Sequence, residues 1–222
     1  KDKLNAAYSL SNLGLLAQMA DNDYKKANSY LSEAIKLATE LKDDYLLGYC
    51  YLRMKGLTRA QGNFKLSEDY INKTLVLYKK EKRPKDVAYV LAEMGNDASY
   101  VYGDNVKALQ LIDQAQVISD TLTDIQLKAY LLGVRSTIVA EAGEFNKALS
   151  LGQESLELYK SVDSEWGLAG EYIDIGNVYK QLSEYDLSLK FQQKSDSLYR
   201  KMNSEYNRLA PLANIGAVYT AQ

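Results

Sequence analysis

Four tyrosines recur at nearly constant spacing and mark the part of the chain best suited to contact another molecule. They are Tyr8, Tyr49, Tyr89 and Tyr130, which follow one another by 41, 40 and 41 residues. A tyrosine offers an apolar ring and a hydroxyl that donates or accepts a hydrogen bond, so it suits a half-buried binding surface. Amide and charged side chains recur near the same register, namely Asn12, Arg53, Glu93, Asn96, Asp174, Asn177 and Lys180.

Together, these types of side chain suit a surface or groove that binds an extended peptide. Asparagine amides can hydrogen-bond to the N–H and the C=O of a peptide backbone, and tyrosine rings can hold its side chains. The charge of this groove is mixed, because Arg53 and Lys180 are accompanied by Glu93 and Asp174. Two structural interpretations stay open: the tyrosines can pack neighbouring helices together, and the asparagines can be solvated or cap helix ends.

The composition excludes most catalytic chemistry. The chain has no histidine, which rules out Ser-His-Asp and Cys-His nucleophiles and histidine general bases. Its single cysteine, Cys50, cannot form a disulfide within the chain. The sequence contains neither an EF-hand loop nor a glycine-rich phosphate loop. We therefore expect a protein without enzymatic activity, metal or cofactor.

Charge and hydropathy narrow the class of partner. The formal net charge is -2 and the pI is about 5.4, which argues against direct contact with nucleic acid, because that contact needs a basic surface. No apolar run approaches the roughly 20 residues that a membrane-spanning helix needs. The compartment stays open, since the cytoplasm and the periplasm are both compatible with this composition.

The elements that carry these residues repeat every 40 or 41 residues, which is typical of stacked helical repeats. One column of small residues contains Gly14, Lys55, Gly95, Ser136, Gly176 and Gly216. Two further columns contain Ala27, Ser67, Ala108, Ala148 and Ser188, and Ala34, Thr74, Ala115, Ser155 and Ser195. Glycine lowers helix propensity, so its recurrence in the first column predicts the close approach of a second helix.

Apolar residues at offsets of three and four predict two amphipathic helices in each repeat. Turn-forming residues, such as those at 21–23 and 143–144, separate the two helices. Pro84 suits a first helical turn, and Thr123 with Gln126 has the spacing of a capping box. The predicted helices span residues 4–20, 24–42, 44–61, 64–81, 84–102, 105–122, 124–142, 145–162, 165–182, 185–202 and 205–222.

The segment at 175–185, IGNVYKQLSEY, followed by Ser188 and Ser195, resembles a tetratricopeptide repeat, and residues 215–219 start the same pattern again. The period is longer than the roughly 34 residues of the common form. It is similar to the long-repeat arrays of kinesin light chains, cell-polarity adaptors and bacterial peptide receptors. The resemblance implies an all-α, right-handed superhelical solenoid of antiparallel helix pairs. It would hold five full repeats and the first helix of a sixth, in a single domain over residues 1–222.

The resemblance also implies that the first helices line a concave face that binds a protein or peptide, often as the sensing region of a larger signalling protein. In chaperone-binding members a lysine-containing clamp holds a carboxylate, but the corresponding column has no lysine: Ser11, Leu52, Ala92, Gly133 and Ile173. The last helix would expose an apolar stripe through Leu212, Ile215 and Tyr219. We therefore expect a fragment of a longer protein, or self-association through this helix. The alternative function is a scaffold or dimerisation module that uses the terminal helices or the convex face.

Overall fold

The computed structural model describes residues 2–19 and 22–221. Asp21 of the first predicted turn, and the last residues of the helices predicted at 4–20 and 205–222, lie outside these ranges. All regular structure in the described ranges is α-helical and close to the predicted bounds. The helices are α1 (Asp2–Met19), α2 (Tyr24–Leu41), α3 (Asp44–Ala60), α4 (Phe64–Lys80), α5 (Pro84–Tyr102), α6 (Asn105–Asp120), α7 (Ile125–Glu141), α8 (Phe145–Ser161), α9 (Glu165–Gln181), α10 (Tyr185–Lys201) and α11 (Glu205–Tyr219). Among these described helices, none has the length and apolarity to cross a bilayer.

Short polar side chains determine where several helices begin. An oxygen of the capping side chain accepts a hydrogen bond from the backbone N–H three residues further on at Asp23, Asp43, Asn63, Asp104 and Asp124. Each such cap satisfies a free N–H of the first turn and contributes about 1 kcal/mol. At α7 the predicted capping box was wrong, because the helix begins one residue later than expected and Asp124, not Thr123, caps it. Pro84 is the first residue of α5, as predicted.

The turn inside each repeat contains one residue in the left-handed conformation. That residue is Asn22, Gly62, Gly103, Gly143 or Ser183, each with a positive φ. Glycine adopts this conformation at little cost, whereas a residue with a Cβ is strained there. The left-handed residue ends the first helix and reverses the chain, so that the second helix can pack back against the first.

Contacts between residues divide the chain into two compact units, Lys1–Met94 (unit 1) and Gly95–Gln222 (unit 2). In unit 1, α1 packs on α2, α3 packs on α4, and α3 also contacts α1 and α2. In unit 2, α7 packs on α8 and α9 packs on α10, while α9 also contacts α7, α8 and α11. Each unit is therefore built from antiparallel helix pairs, and the first helices of successive pairs lie side by side.

The two small-residue columns of the second helices are buried in both units. Every one of their ten positions is at most 3% exposed. Three hydroxyls in these columns reach the backbone of the first helix of the same pair: Ser67 Oγ donates to Lys55 O at 3.1 Å, Thr74 Oγ1 donates to Gly48 O at 3.3 Å, and Ser155 Oγ lies 3.0 Å from Ala129 O. Small side chains thus bring the two helices close enough for side chain-to-backbone hydrogen bonds.

Two glycines of the first helices, Gly95 and Gly176, leave space for different kinds of neighbour. A Cβ on Gly95 would lie 3.2 Å from the carbonyl oxygen of Ala108, which confirms the predicted close approach of the second helix at this pair. A Cβ on Gly176 would instead lie 2.6 Å from Gln192 Nε2. At that position the space left by glycine is filled by a buried polar side chain.

Candidate functional site

The first helices of each unit form what we call the first-helix face, made of α1 and α3 in unit 1 and of α7, α9 and α11 in unit 2. The site residues predicted from the sequence lie on α1, α3, α5, α7 and α9. Asn12 is exposed and all the others are half-buried. A half-buried side chain is fixed by its neighbours yet can still be reached by a ligand, which is the exposure that a binding surface needs.

In unit 1, the tyrosine column and the neighbouring polar column contact each other. The ring centres of Tyr8 and Tyr49 are 5.5 Å apart, and the rings are tilted by 59°. The Tyr49 hydroxyl donates to Asn12 Oδ1 at 3.2 Å and accepts from Arg53 Nη2 at 2.7 Å. The Arg53 guanidinium also lies 4.8 Å from the centre of the Tyr49 ring. These tyrosines pack adjacent first helices and at the same time hold Asn12 and Arg53 in place.

Arg53 keeps hydrogen-bonding capacity for a ligand. Its Nε is buried without an acceptor, and within the part of unit 1 that the structure describes its guanidinium forms no ion pair. A guanidinium has five N–H donors, and only one is used by the Tyr49 hydroxyl. The remaining donors can bind a carbonyl or a carboxylate.

Glu93 has a structural partner that the sequence did not predict. Lys55 occupies a glycine position of the repeat and is only 5% exposed, and its Nζ lies 3.0 Å from Glu93 Oε2. A buried ammonium needs such a partner, because an unpaired charge is costly to remove from water. Tyr89, on the same helix as Glu93, has Lys85 Nζ 5.9 Å from its ring centre. The departure from glycine at Lys55 is thus compensated by a carboxylate.

Unit 2 contains a cavity of about 340 Å³ on its first-helix face. The predicted residues Asp174, Asn177 and Lys180 line it together. Its other lining residues come from four helices: Tyr100 of α5, Ser136, Thr137, Ala140 and Glu141 of α7, Val178 and Gln181 of α9, and Asn214 of α11. A cavity of this size with a few convergent polar groups suits a small organic group or part of a peptide. Asn96 and Tyr130, also in unit 2, are half-buried and not among its lining residues.

A glutamine from α10 fixes two amides in the wall of this cavity. Gln192 is fully buried, and its Nε2 donates to Asn177 Oδ1 and to Ile173 O, both at 3.2 Å. Its Oε1 accepts from Asn214 Nδ2 at 3.3 Å. The amide nitrogen of Asn177 and the amide oxygen of Asn214 have no partner in the described part of the chain. The wall therefore presents one free donor group and one free acceptor, both oriented by Gln192.

A carboxyl group is buried one turn from the cavity. Glu171 of α9 is 3% exposed and fits between two glycines: a Cβ on Gly133 would lie 2.4 Å from Oε2, and one on Gly152 would lie 2.9 Å from Oε1. Oε1 has no partner among the described residues. Burial raises the pKa of the Glu171 carboxyl, and the nearby Asp174 raises that pKa further.

The hydrogen bonds of Ser155 indicate that Glu171 is protonated. Ser155 Oγ lies 2.7 Å from Glu171 Oε2 and 3.0 Å from Ala129 O, and both are acceptors when the carboxyl is ionised. One hydroxyl hydrogen cannot serve both. A protonated Glu171 donates to Ser155 Oγ, which frees the serine to donate to the carbonyl. The raised pKa and the hydrogen-bond geometry thus agree.

Asp174, by contrast, faces the cavity without a partner. It is half-buried and forms no hydrogen bond or ion pair with any residue that the structure describes. Burial raises its pKa as well. The guanidinium groups of Arg200 on α10 and Arg208 on α11 form ion pairs with a different carboxylate, that of Asp196. Arg200 Nη2 lies 3.0 Å from Asp196 Oδ2, and Arg208 Nε lies 2.7 Å from Asp196 Oδ1.

Gln192 and Glu171 were not among the candidate residues predicted from the sequence, although the repeat itself could have identified them. Gln192 follows a buried column whose earlier members are Leu31, Ile71, Ile112 and Gly152. Glu171 follows a second column, in which Cys50, Val90, Leu131 and Pro211 are buried and the first member, Ser9, is exposed. A polar residue in an otherwise apolar buried column is costly unless it is hydrogen-bonded. A polar residue at a position that is apolar in the other repeats therefore marks a candidate site residue, even where it is not on the surface.

Comparison with known proteins gives the fold. No family model and no curated protein matches the sequence. Among solved structures, a signal-transduction ATPase with a tetratricopeptide repeat sensor from Pyrococcus horikoshii matches with a TM-score of 0.64 at 17% identity, over 97% of this chain and 33% of that chain. BtubC from P. vanneervenii matches with a TM-score of 0.64 at 18% identity, over 90% of this chain and 83% of that one.

A Rap protein complexed with Competence and Sporulation Factor matches with a TM-score of 0.67 at 11% identity, over 100% of this chain and 66% of that chain. This chain thus spans about one third of the ATPase and slightly less than two thirds of the Rap protein. At these identities the comparisons show architecture only. The architecture is the tetratricopeptide-repeat-like arrangement of antiparallel helix pairs, which confirms the fold class predicted from the repeat.

Proposed function

We propose that the chain is a non-catalytic module that binds an extended peptide segment of a protein partner on its first-helix face. The observation that carries the proposal is the pair of amides that Gln192 holds in the cavity wall of unit 2. Asn177 offers N–H donors and Asn214 offers an acceptor, which together complement the C=O and the N–H of a peptide backbone. Amides that are already oriented lose little side-chain entropy on binding.

Two further observations support a binding role. In unit 1, the Arg53 guanidinium has N–H donors that are not used within the described residues, and its contacts with Tyr49 fix its position. Two structures of similar fold are a signal-transduction ATPase with a repeat sensor and a Rap protein complexed with Competence and Sporulation Factor. By analogy of fold, we propose that this chain is the sensing or interaction region of a larger protein.

The proposal assigns no catalytic role to the chain, and the reason lies in which of its side chains could act as a general acid or base. Without histidine, a general acid or base at neutral pH would have to be a carboxyl group, lysine or tyrosine with a shifted pKa. Glu171 has such a pKa, but it is 3% exposed and is not among the residues that line the cavity. Its O–H therefore donates to Ser155 and is not presented to a substrate.

The proposal is tested by selecting 12-residue peptides from a random display library on the purified chain. The affinity of the selected peptides is then measured by fluorescence anisotropy. We expect Asn177→Ala to weaken binding about tenfold, since it removes hydrogen bonds to the peptide. Glu154→Gln, an exposed change on α8, serves as the control and should leave the affinity unchanged. Failure to select any peptide, or equal affinities for wild type and Asn177→Ala, would contradict the proposal.

A second candidate function is self-association through α11. Leu209, Leu212 and Tyr219 are 61%, 43% and 61% exposed, and their spacing places them on one side of this helix. Exposed apolar stripes are typical of protein–protein contacts. Light scattering after size-exclusion chromatography discriminates the two candidates. A dimer that Leu212→Lys converts to a monomer would favour self-association, and a monomer at all concentrations would exclude it.

A further inference from the structure

We propose that the cavity of unit 2 binds the cationic end of an arginine or lysine side chain, and that Asp174 is the carboxylate that accepts its N–H bonds. The inference rests on the proposed function only for the origin of that side chain, which is a bound peptide. Recognition of the cation depends on the cavity itself. It can therefore be tested separately from peptide binding.

The first argument is the unpaired state of Asp174. A half-buried carboxylate is normally stabilised by hydrogen bonds or by a cation, because burial without either is costly. Asp174 has neither among the described residues, although guanidinium groups are available to Asp196 in the same unit. Lys180 lines the same cavity but forms no ion pair with Asp174. The missing counter-charge is what a cationic ligand would supply.

The second argument is the set of acceptors around the cavity. An ammonium has three N–H donors and a guanidinium has five, so either needs several acceptors besides one carboxylate. Thr137 Oγ1 donates its hydrogen to Gly133 O at 3.2 Å and keeps its lone pairs. Asn214 keeps its amide oxygen, and the exposed Glu141 also lines the cavity. These groups complete the hydrogen bonds that Asp174 alone could not provide.

The third argument favours an organic cation over a metal ion. Divalent cations need several oxygen ligands arranged around one point. The part of the chain that the structure describes contains no group of three acidic, cysteine or histidine side chains that could hold a metal. The carboxyl group of Glu171, one turn from Asp174, binds Ser155 instead of pointing to a shared centre. A side chain with N–H donors fits this arrangement.

The test uses acetyl-arginine N-methylamide and its citrulline counterpart, which has nearly the same shape but no charge. Binding to the whole chain is measured by changes in the amide resonances of α7, α9 and α11. We expect the arginine probe to bind about tenfold more tightly than the citrulline probe, since charge-assisted hydrogen bonds are about twice as strong as neutral ones. Asp174→Asn should abolish this difference, whereas Lys180→Met should tighten binding of the arginine probe by removing a like charge.

Glu154→Gln again provides the control and should bind both probes as the wild type does. Thermal unfolding of Asp174→Asn establishes that the variant is folded, and we expect no loss of stability because the substitution removes a buried charge. Equal binding of the two probes, or an unchanged preference in Asp174→Asn, would overturn the inference. If selected peptides bind while the arginine probe does not, only this inference fails. If the arginine probe binds at Asp174 while no peptide is selected, only the proposed function fails.

Discussion

Replacement of Glu171 by glutamine is expected to flatten the dependence of unit 2 stability on pH. The folded chain holds this carboxyl protonated, because burial and the neighbouring Asp174 raise its pKa above the ordinary value of 4.5. In the unfolded chain the same group ionises near 4.5. Between these two pKa values, the folded state binds one proton more than the unfolded state does. Stability contributed by this proton is present below pH 4.5 and is lost as the pH rises towards the pKa of the folded state.

The size of the effect follows from proton linkage. One extra proton in the folded state lowers the free energy of unfolding by about 1.4 kcal/mol for each pH unit. Between pH 5 and pH 7 the cumulative loss is on the order of 2 kcal/mol, which is a substantial part of the roughly 5–15 kcal/mol that stabilises a typical domain. Glutamine has no such proton to lose. Its amide N–H can replace the carboxyl O–H that donates to Ser155, so the variant should fold normally.

The assay uses the single tryptophan of the chain, Trp166, which lies on the same helix as Glu171. Its fluorescence reports the unfolding of unit 2 in urea, and the free energy of unfolding is measured at half-unit steps from pH 5 to pH 8. Asp174 contributes a slope of the same sign, because its pKa is also raised. The informative quantity is therefore the difference in slope between wild type and Glu171→Gln, which should reach at most about 1.4 kcal/mol per pH unit.

The control is Glu154→Gln, the same chemical change at an exposed position of α8. Its stability curve should run parallel to that of the wild type over the whole pH range. Parallel curves for wild type and Glu171→Gln would refute the reasoning, because they would mean that Glu171 takes up no proton on folding. A double variant with Asp174→Asn should be flatter still.

Three further substitutions test other parts of the argument. Ser183→Gly removes the Cβ from a left-handed turn position with φ of 60° and should raise the free energy of unfolding in urea by up to about 1 kcal/mol; lower stability would contradict the strain argument. Glu93→Gln takes a carboxylate from the buried Lys55 ammonium and should cost about 1–3 kcal/mol, more than Lys55→Met costs in the same urea assay. Gly176→Ala should displace Gln192 and weaken binding of selected peptides, measured by fluorescence anisotropy; unchanged affinity would argue against the positioning role of Gln192.

The sequence predicted the helices well because two local signals agree at every repeat. Apolar periodicity gives the buried side of each helix, and turn residues give its ends. At α7 these signals competed, since Thr123 and Asp124 are both good caps and the structure uses Asp124. The small second-helix columns were also predicted correctly, because close packing of two helices requires small side chains wherever their backbones approach.

The candidate site was harder to predict, because a surface column shows which residues are available but not which are already used. Glu93 looked like a free groove carboxylate, yet it binds Lys55 from a column that had been assigned to packing. Asn177 looked like a free amide, yet its oxygen is taken by Gln192. Whether a polar group retains capacity for a ligand depends on such long-range partners, and a repeat alignment does not contain them.

Gln192 and Glu171, the two polar residues in buried columns, bear on which part of unit 2 binds a partner. Unit 1 places Leu31 and Ile71 at the positions equivalent to Gln192, so the fold does not require a polar side chain there. Glu171 likewise replaces apolar residues and is accommodated by Gly152, which leaves the space for it. The apolar residues at the equivalent positions indicate that packing of the helix pairs requires neither polar group, and proteins retain such departures chiefly where function needs them.

Both departures lie next to the same cavity. Gln192 orients the amides of Asn177 and Asn214, which line it, and Glu171 lies one turn from the unpaired Asp174. A chain selected only for stacking would be expected to keep the apolar residues found in its other repeats. The two buried polar residues therefore lie beside a cavity wall that combines free amide groups with an unpaired carboxylate among the described residues of unit 2. This convergence supports the proposal that the partner binds at the cavity rather than at the tyrosine column.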